Sequence, residues 1–116
     1  MTKTEIKTES ESTVTKSKKI KRVPLANGRW FNEDSAMWWA EDTRWDGHNN
    51  ISKATGSQWE HERLYKTKGG TFILNAWSAY HESYTIISDD DAYRWMLSQG
   101  ESESIPADVL EKMEVK

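Results

Sequence analysis

All thirteen aromatic residues of this chain lie between Trp30 and Trp95, and seven of them are tryptophan. Aromatic side chains bury the most apolar area, roughly 150–250 Å² each. The folded core must therefore form within that window. Residues 1–22 contain no aromatic residue, eight serines or threonines, and only Ile6, Val14 and Ile20 as scattered large aliphatics. Such a segment buries too little apolar surface to offset the entropy of ordering it. The expectation is a disordered tail over 1–22 and a single small domain over 23–116.

The charge distribution divides at the same place. Residues 1–22 carry seven basic and three acidic groups, with Lys16, Lys18, Lys19, Lys21 and Arg22 concentrated at the end. The remaining residues carry nine basic and sixteen acidic groups, a balance of -7. A chain of 116 residues has room for one domain. A body this small buries about 60–68% of its unfolded surface, so some of the seven indoles are expected to stay exposed. Cysteine is absent, which excludes disulfides and thiolate chemistry and fits a reducing compartment. No apolar run is long enough to span a membrane, and no apolar signal region opens the chain. The expected location is the cytoplasm.

The element pattern reads as strands followed by helix. Asn27-Gly28 marks a turn, and Trp30-Phe31 begins a short strand. Ala36 to Trp45 reads as a strand, with a short helix across Glu33–Glu41 left open. Asp46-Gly47 signals a hairpin. Asn49 to Trp59 lacks apolar periodicity and reads as irregular. Lys68-Gly69-Gly70 separates Glu62–Thr67 from Thr71–Tyr80, a hairpin whose glycines tolerate positive φ. Ser83–Ile87 continues it. Ser88 then caps a helix over Asp89–Gln99, with Asp91 placed as a capping-box acid and Gly100 as its stop. Ala92, Trp95, Met96 and Gln99 share one face of it. A second helix starts near Ser104-Ile105-Pro106 and aligns Val109, Leu110 and Met113. The fold class is α+β: an antiparallel meander of three to five strands, with a C-terminal helix packed on one face.

The stretches HERLYKTKGGTFILNAWSAY and IISDDDAYRWMLSQG, within residues 61–100, resemble a class of small uncharacterised bacterial and mobile-element proteins. The resemblance implies a microbial origin and no particular activity.

Candidate chemistry is sparse. His48, His61 and His81 have acidic or amide neighbours but no metal-ligand spacing, and HEXXH is absent. No G-x-S-x-G elbow, P-loop or dinucleotide glycine pattern occurs. Glu60 and Glu62 lie on one strand face, where solvated charges are common. No metal, cofactor or catalytic activity is expected. Trp77 and Trp95 read as core. Trp38 and Trp39 are adjacent, so on a strand they point to opposite faces. Tryptophan and arginine dominate binding hot spots. Trp38, Trp39, Trp45 and Trp59 are therefore candidates for a protein interface, and the acidic C-terminal third adds Glu101, Glu103 and Glu111 as steering charges. The leading expectation is a small protein-binding module, bacterial and accessory in role (antitoxin, immunity or anti-defence type), monomeric or homodimeric, with a basic protein as partner. The alternative is nucleic-acid binding through Lys16, Lys18, Lys19, Lys21 and Arg22. A further alternative is a Trp-rich carbohydrate binder or small enzyme.

Overall fold

The computed structural model describes residues 20–116. The tail expectation, with Lys16, Lys18 and Lys19, lies outside the described residues. Strand β1 (Arg22–Pro24) and strand β2 (Trp30–Asn32) form an antiparallel hairpin with Val23 opposite Phe31. The boundary expected at Val23 thus falls inside a strand. Lys21 already belongs to the ordered body, because its carbonyl accepts the Glu33 N–H at 3.1 Å.

Strand β3 (Met37–Ala40) follows a single 3-10 turn, Glu33–Ser35, which Asn32 caps through its side chain. That turn is all that forms of the helix left open over Glu33–Glu41. The long strand read over Ala36–Trp45 breaks at Glu41-Asp42, and its second half is strand β4 (Thr43–Trp45). Strand β5 (Asn50–Ser52) pairs antiparallel with β4 around Asp46-Gly47, so part of the stretch read as irregular is extended. The reason lies far along the chain. The Asp42 N–H donates to Gln99 Oε1 at 2.8 Å, and Glu41 turns inward to meet Ser52 on one strand and His61 and the Glu62 N–H on another.

Strands β6 (His61–Lys66), β7 (Phe72–Trp77) and β8 (Glu82–Ile87) form the expected meander, and β3 adds at β6 to give the antiparallel order β3-β6-β7-β8. Gly70, at φ +93°, takes the left-handed turn position between β6 and β7 that a side chain would strain. Helix α1 (Asp89–Ser98) begins as expected, the Asp91 N–H donating to Ser88 Oγ at 3.1 Å. The Asp91 carboxylate pairs with Arg94. Helix α2 (Ala107–Met113) closes the fold.

Register assigns the side chains to faces. Trp39, Leu64 and Phe72 look one way, and Trp38, Tyr65 and Ile73 the other. On the first face Ala92, Trp95, Met96 and Ile105 bury Leu64 and Phe72, with Val109, Leu110 and Met113 packed beside them. The helix stripe read from sequence is therefore the stripe that packs. The second face is covered too. The β1–β2 hairpin lays Val23 and Phe31 on Tyr65 and Ile73, with ring centroids 5.3 Å apart between Phe31 and Tyr65. The sheet is thus a middle layer, with a small second core that the sequence pattern did not announce.

Candidate functional site

Four of the seven indoles remain open to solvent: Trp30 at 52% exposure, Trp38 at 54%, Trp45 at 64% and Trp59 at 72%. Three of them are sequence candidates. The fourth candidate, Trp39, is turned to the helices, where it is half-buried. Its Nε1–H donates to Ser104 Oγ at 3.0 Å, and its ring lies 6.4 Å from that of Phe72. Opposite facing of Trp38 and Trp39 follows directly from strand alternation.

Trp38 sits with exposed Met37 on β3, at one end of the strand order. Among the described residues no strand pairs with its outer edge. The Arg63 guanidinium stacks on the Trp38 ring at 4.6 Å, and that of Arg22 on Trp30 at 5.1 Å. Cation–π contact holds each indole face while leaving its rim in water. Trp45 and Trp59 are presented by the β4–β5 hairpin and the loop after it. Glu41 anchors that unit: Oε1 accepts from Ser52 Oγ at 2.6 Å and from the Glu62 N–H at 2.8 Å, while Oε2 meets His61 Nδ1 at 2.7 Å. Ser52 is fully buried and accepts from the N–H groups of Ala54 and Thr55, and the Trp59 N–H donates to Ser57 Oγ at 2.9 Å. Glu41 and Ser52 escaped the sequence reading because no local pattern separates an inward carboxylate from a solvated one.

The basic candidates divide. Lys21 Nζ lies 2.7 Å from Glu33 Oε1, and Arg22 stacks on Trp30, so both are held to the body. The acidic candidates sit after α1. Glu103 is exposed in a 3-10 turn (Ser102–Ser104), and Glu101, half-buried, donates its N–H to the Met96 carbonyl at 2.8 Å. Glu111, on α2, rims a shallow apolar groove floored by Leu97, Leu110 and Met113. The structure does not gather these acids with the exposed indoles into one cluster. Trp77, read as core, is half-buried between His61 and Arg63, at 5.4 Å and 5.3 Å. Trp95 is core, 9% exposed.

The histidines have separate partners. His61 faces Glu41, the His81 ring lies 3.2 Å from Ser78 Oγ, and the His48 N–H donates to Asp46 in the turn. Among the described residues no group of three His, Cys, Asp or Glu side chains is placed to hold a metal ion. Glu62 is committed to Trp95, whose Nε1–H donates to its Oε1 at 3.0 Å.

A polar concavity of about 340 Å³ opens on the hairpin-bearing side of the sheet. Arg63 Nη1 donates to the Tyr65 hydroxyl at 3.3 Å, which donates to Glu33 Oε2 at 2.5 Å. The bonds from Lys21 and then Tyr65 hold the Glu33 carboxyl below its ordinary value of 4.5. Burial, then the bond to Glu33, pushes the Tyr65 phenol up. Burial and Glu82 do the same to Tyr84. Because Glu33 is more acidic when folded, its contribution to stability is complete above pH 4.5 and is lost as pH falls through its lowered folded value. Chemical denaturation across acid pH is expected to show this loss, and Glu33→Gln is expected to reduce it.

Among the described residues no helix is long and apolar enough to cross a membrane. Searches against protein families, curated proteins and solved structures return no match.

Proposed function

We propose that this chain is a small protein-binding module whose partner is a basic protein. The carrying observation is the set of exposed indoles, with Trp38 stacked by Arg63 on a sheet edge to which no described strand pairs. Tryptophan and arginine supply much of the energy at protein interfaces, and Trp38 and Arg63 stand together on this edge. A rigid indole on a paired backbone loses little entropy when a partner covers it. The edge strand adds backbone groups with which no described strand pairs, and on which an extended partner segment is able to pair. The body's balance of -7 steers a basic partner and repels phosphate. An accessory role in a bacterium, of the antitoxin, immunity or anti-defence kind, belongs to the same reading.

The test separates this reading from nucleic-acid binding through the basic arm. A truncation that removes residues 1–19 spares Lys21 and Arg22, which build the hairpin. It is expected to retain affinity for the partner, once that protein has been captured and purified. Joint replacement of Glu101, Glu103 and Glu111 by glutamine is expected to slow association and flatten its salt dependence, measured by stopped flow. If the truncation instead abolishes binding, and the full chain binds an oligonucleotide with a salt slope of about 0.7–0.9 per phosphate contact, the arm is the binding element.

A further inference from the structure

Four charged side chains line the concavity beside β8: Lys21 and Glu33, which pair with each other, and Arg63 and Glu82, which form no ion pair with a described residue. Arg63 is held between the Trp38 ring at 4.6 Å and the Trp77 ring at 5.3 Å. The two indoles flank the guanidinium from the neighbouring strands β3 and β7, and its N–H donors lie in its own plane. One of them, Nη1, donates to Tyr65. Nε is buried without a hydrogen-bond partner. Among the described residues no carboxylate reaches ion-pair distance of Arg63. Glu33, which lines the same concavity, is already taken by Lys21 and Tyr65.

Glu82 is the complementary case. Its Oε2 accepts from Asn75 Nδ2 at 3.2 Å and from the Tyr84 hydroxyl at 3.1 Å, two neutral donors that orient the carboxylate. Among the described residues no cation pairs with it. Asn75, itself buried, stands opposite Arg63 on one side and Tyr84 on the other in the sheet register, and it also donates to the Ser83 carbonyl at 3.1 Å. Among the described residues, therefore, a guanidinium with no carboxylate partner and a carboxylate with no cation partner line one open concavity.

We propose that this concavity binds a small zwitterion, its carboxylate on Arg63 and its ammonium on Glu82. A simple anion gains Arg63 but meets Glu82, and a simple cation meets the reverse, so only a molecule with both charges neutralises both. A space of about 340 Å³ suits an amino acid of short chain rather than a macromolecule. The carboxylate is recognised through in-plane N–H donors, the geometry for which arginine is suited. The site does not depend on the protein-binding reading.

The test titrates the full chain with glycine, β-alanine and γ-aminobutyrate, which separate the two charges progressively, and with acetate and methylammonium as half-ligands. The readout is the indole N–H resonance of Trp77. At least one amino acid is expected to give a saturable shift, with affinity roughly tenfold or more above either half-ligand. Glu82→Gln keeps an acceptor for Asn75 and Tyr84 but removes the charge, and is expected to weaken binding by about tenfold with the fold intact. Arg63→Lys is expected to do the same, and if it unfolds the chain Glu82→Gln decides alone. Saturation by none of the three amino acids, acetate binding as well as they do, or an unaffected Glu82→Gln variant would each overturn the proposal.

Discussion

Replacing Trp95 by alanine is expected to cost about 3–5 kcal/mol of stability, read from urea denaturation at constant slope. The ring is 9% exposed and lies in the helix-facing core with Leu64, Phe72 and Met96. Truncation leaves a cavity that a close-packed interior fills only in part. It also removes the Nε1–H donor from Glu62 Oε1, so a half-buried carboxylate must find water instead. Trp95→Phe separates the two effects, since it keeps most of the volume and loses the hydrogen bond. Unchanged stability in Trp95→Ala, together with lost binding, would move this residue from core to interface.

The adjacent pair on β3 provides the second large effect. Trp39→Ala is expected to cost about 3 kcal/mol, near the lower end of the range for buried tryptophan because the ring is half-buried. It loses the contact with Phe72 and the bond to Ser104, which ties the sheet to the turn before α2. Trp38→Ala, one residue away, is expected to leave thermal stability nearly unchanged, because that ring is 54% exposed and its principal partner is the Arg63 side chain. Equal losses in the two variants would show that both faces of β3 are core.

Much of this contrast was legible in the sequence, because strand alternation depends only on the backbone. The same holds for the β6–β7 hairpin, where Gly70 carries the turn, and for α1, where Ser88 caps the first turn and Ala92, Trp95, Met96 and Gln99 pack as one stripe. Gly100, at φ +77°, stops that helix as its position implied. What escaped was long-range. Val23 and Phe31 are too few to signal a second core, and their role exists only because Tyr65 and Ile73 face them from another sheet. The break after Ala40 depends on Gln99 reaching Asp42 across the fold. Glu41 resembles any surface acid until Ser52, His61 and the Glu62 N–H converge on it. Of the candidate surface, Trp38, Trp45 and Trp59 were legible as surplus aromatics beyond what so small a core can bury. The Arg63 sandwich was not, since it joins side chains from β3, β6 and β7 that only the register brings together.

The dissociation constant of the Trp38→Ala variant for the captured and purified partner tests the central claim most directly. Hot-spot truncation predicts a rise of roughly thirtyfold, about 2 kcal/mol, with the unfolding midpoint unchanged. An unaltered dissociation constant for Trp38→Ala would contradict a binding surface built on this edge.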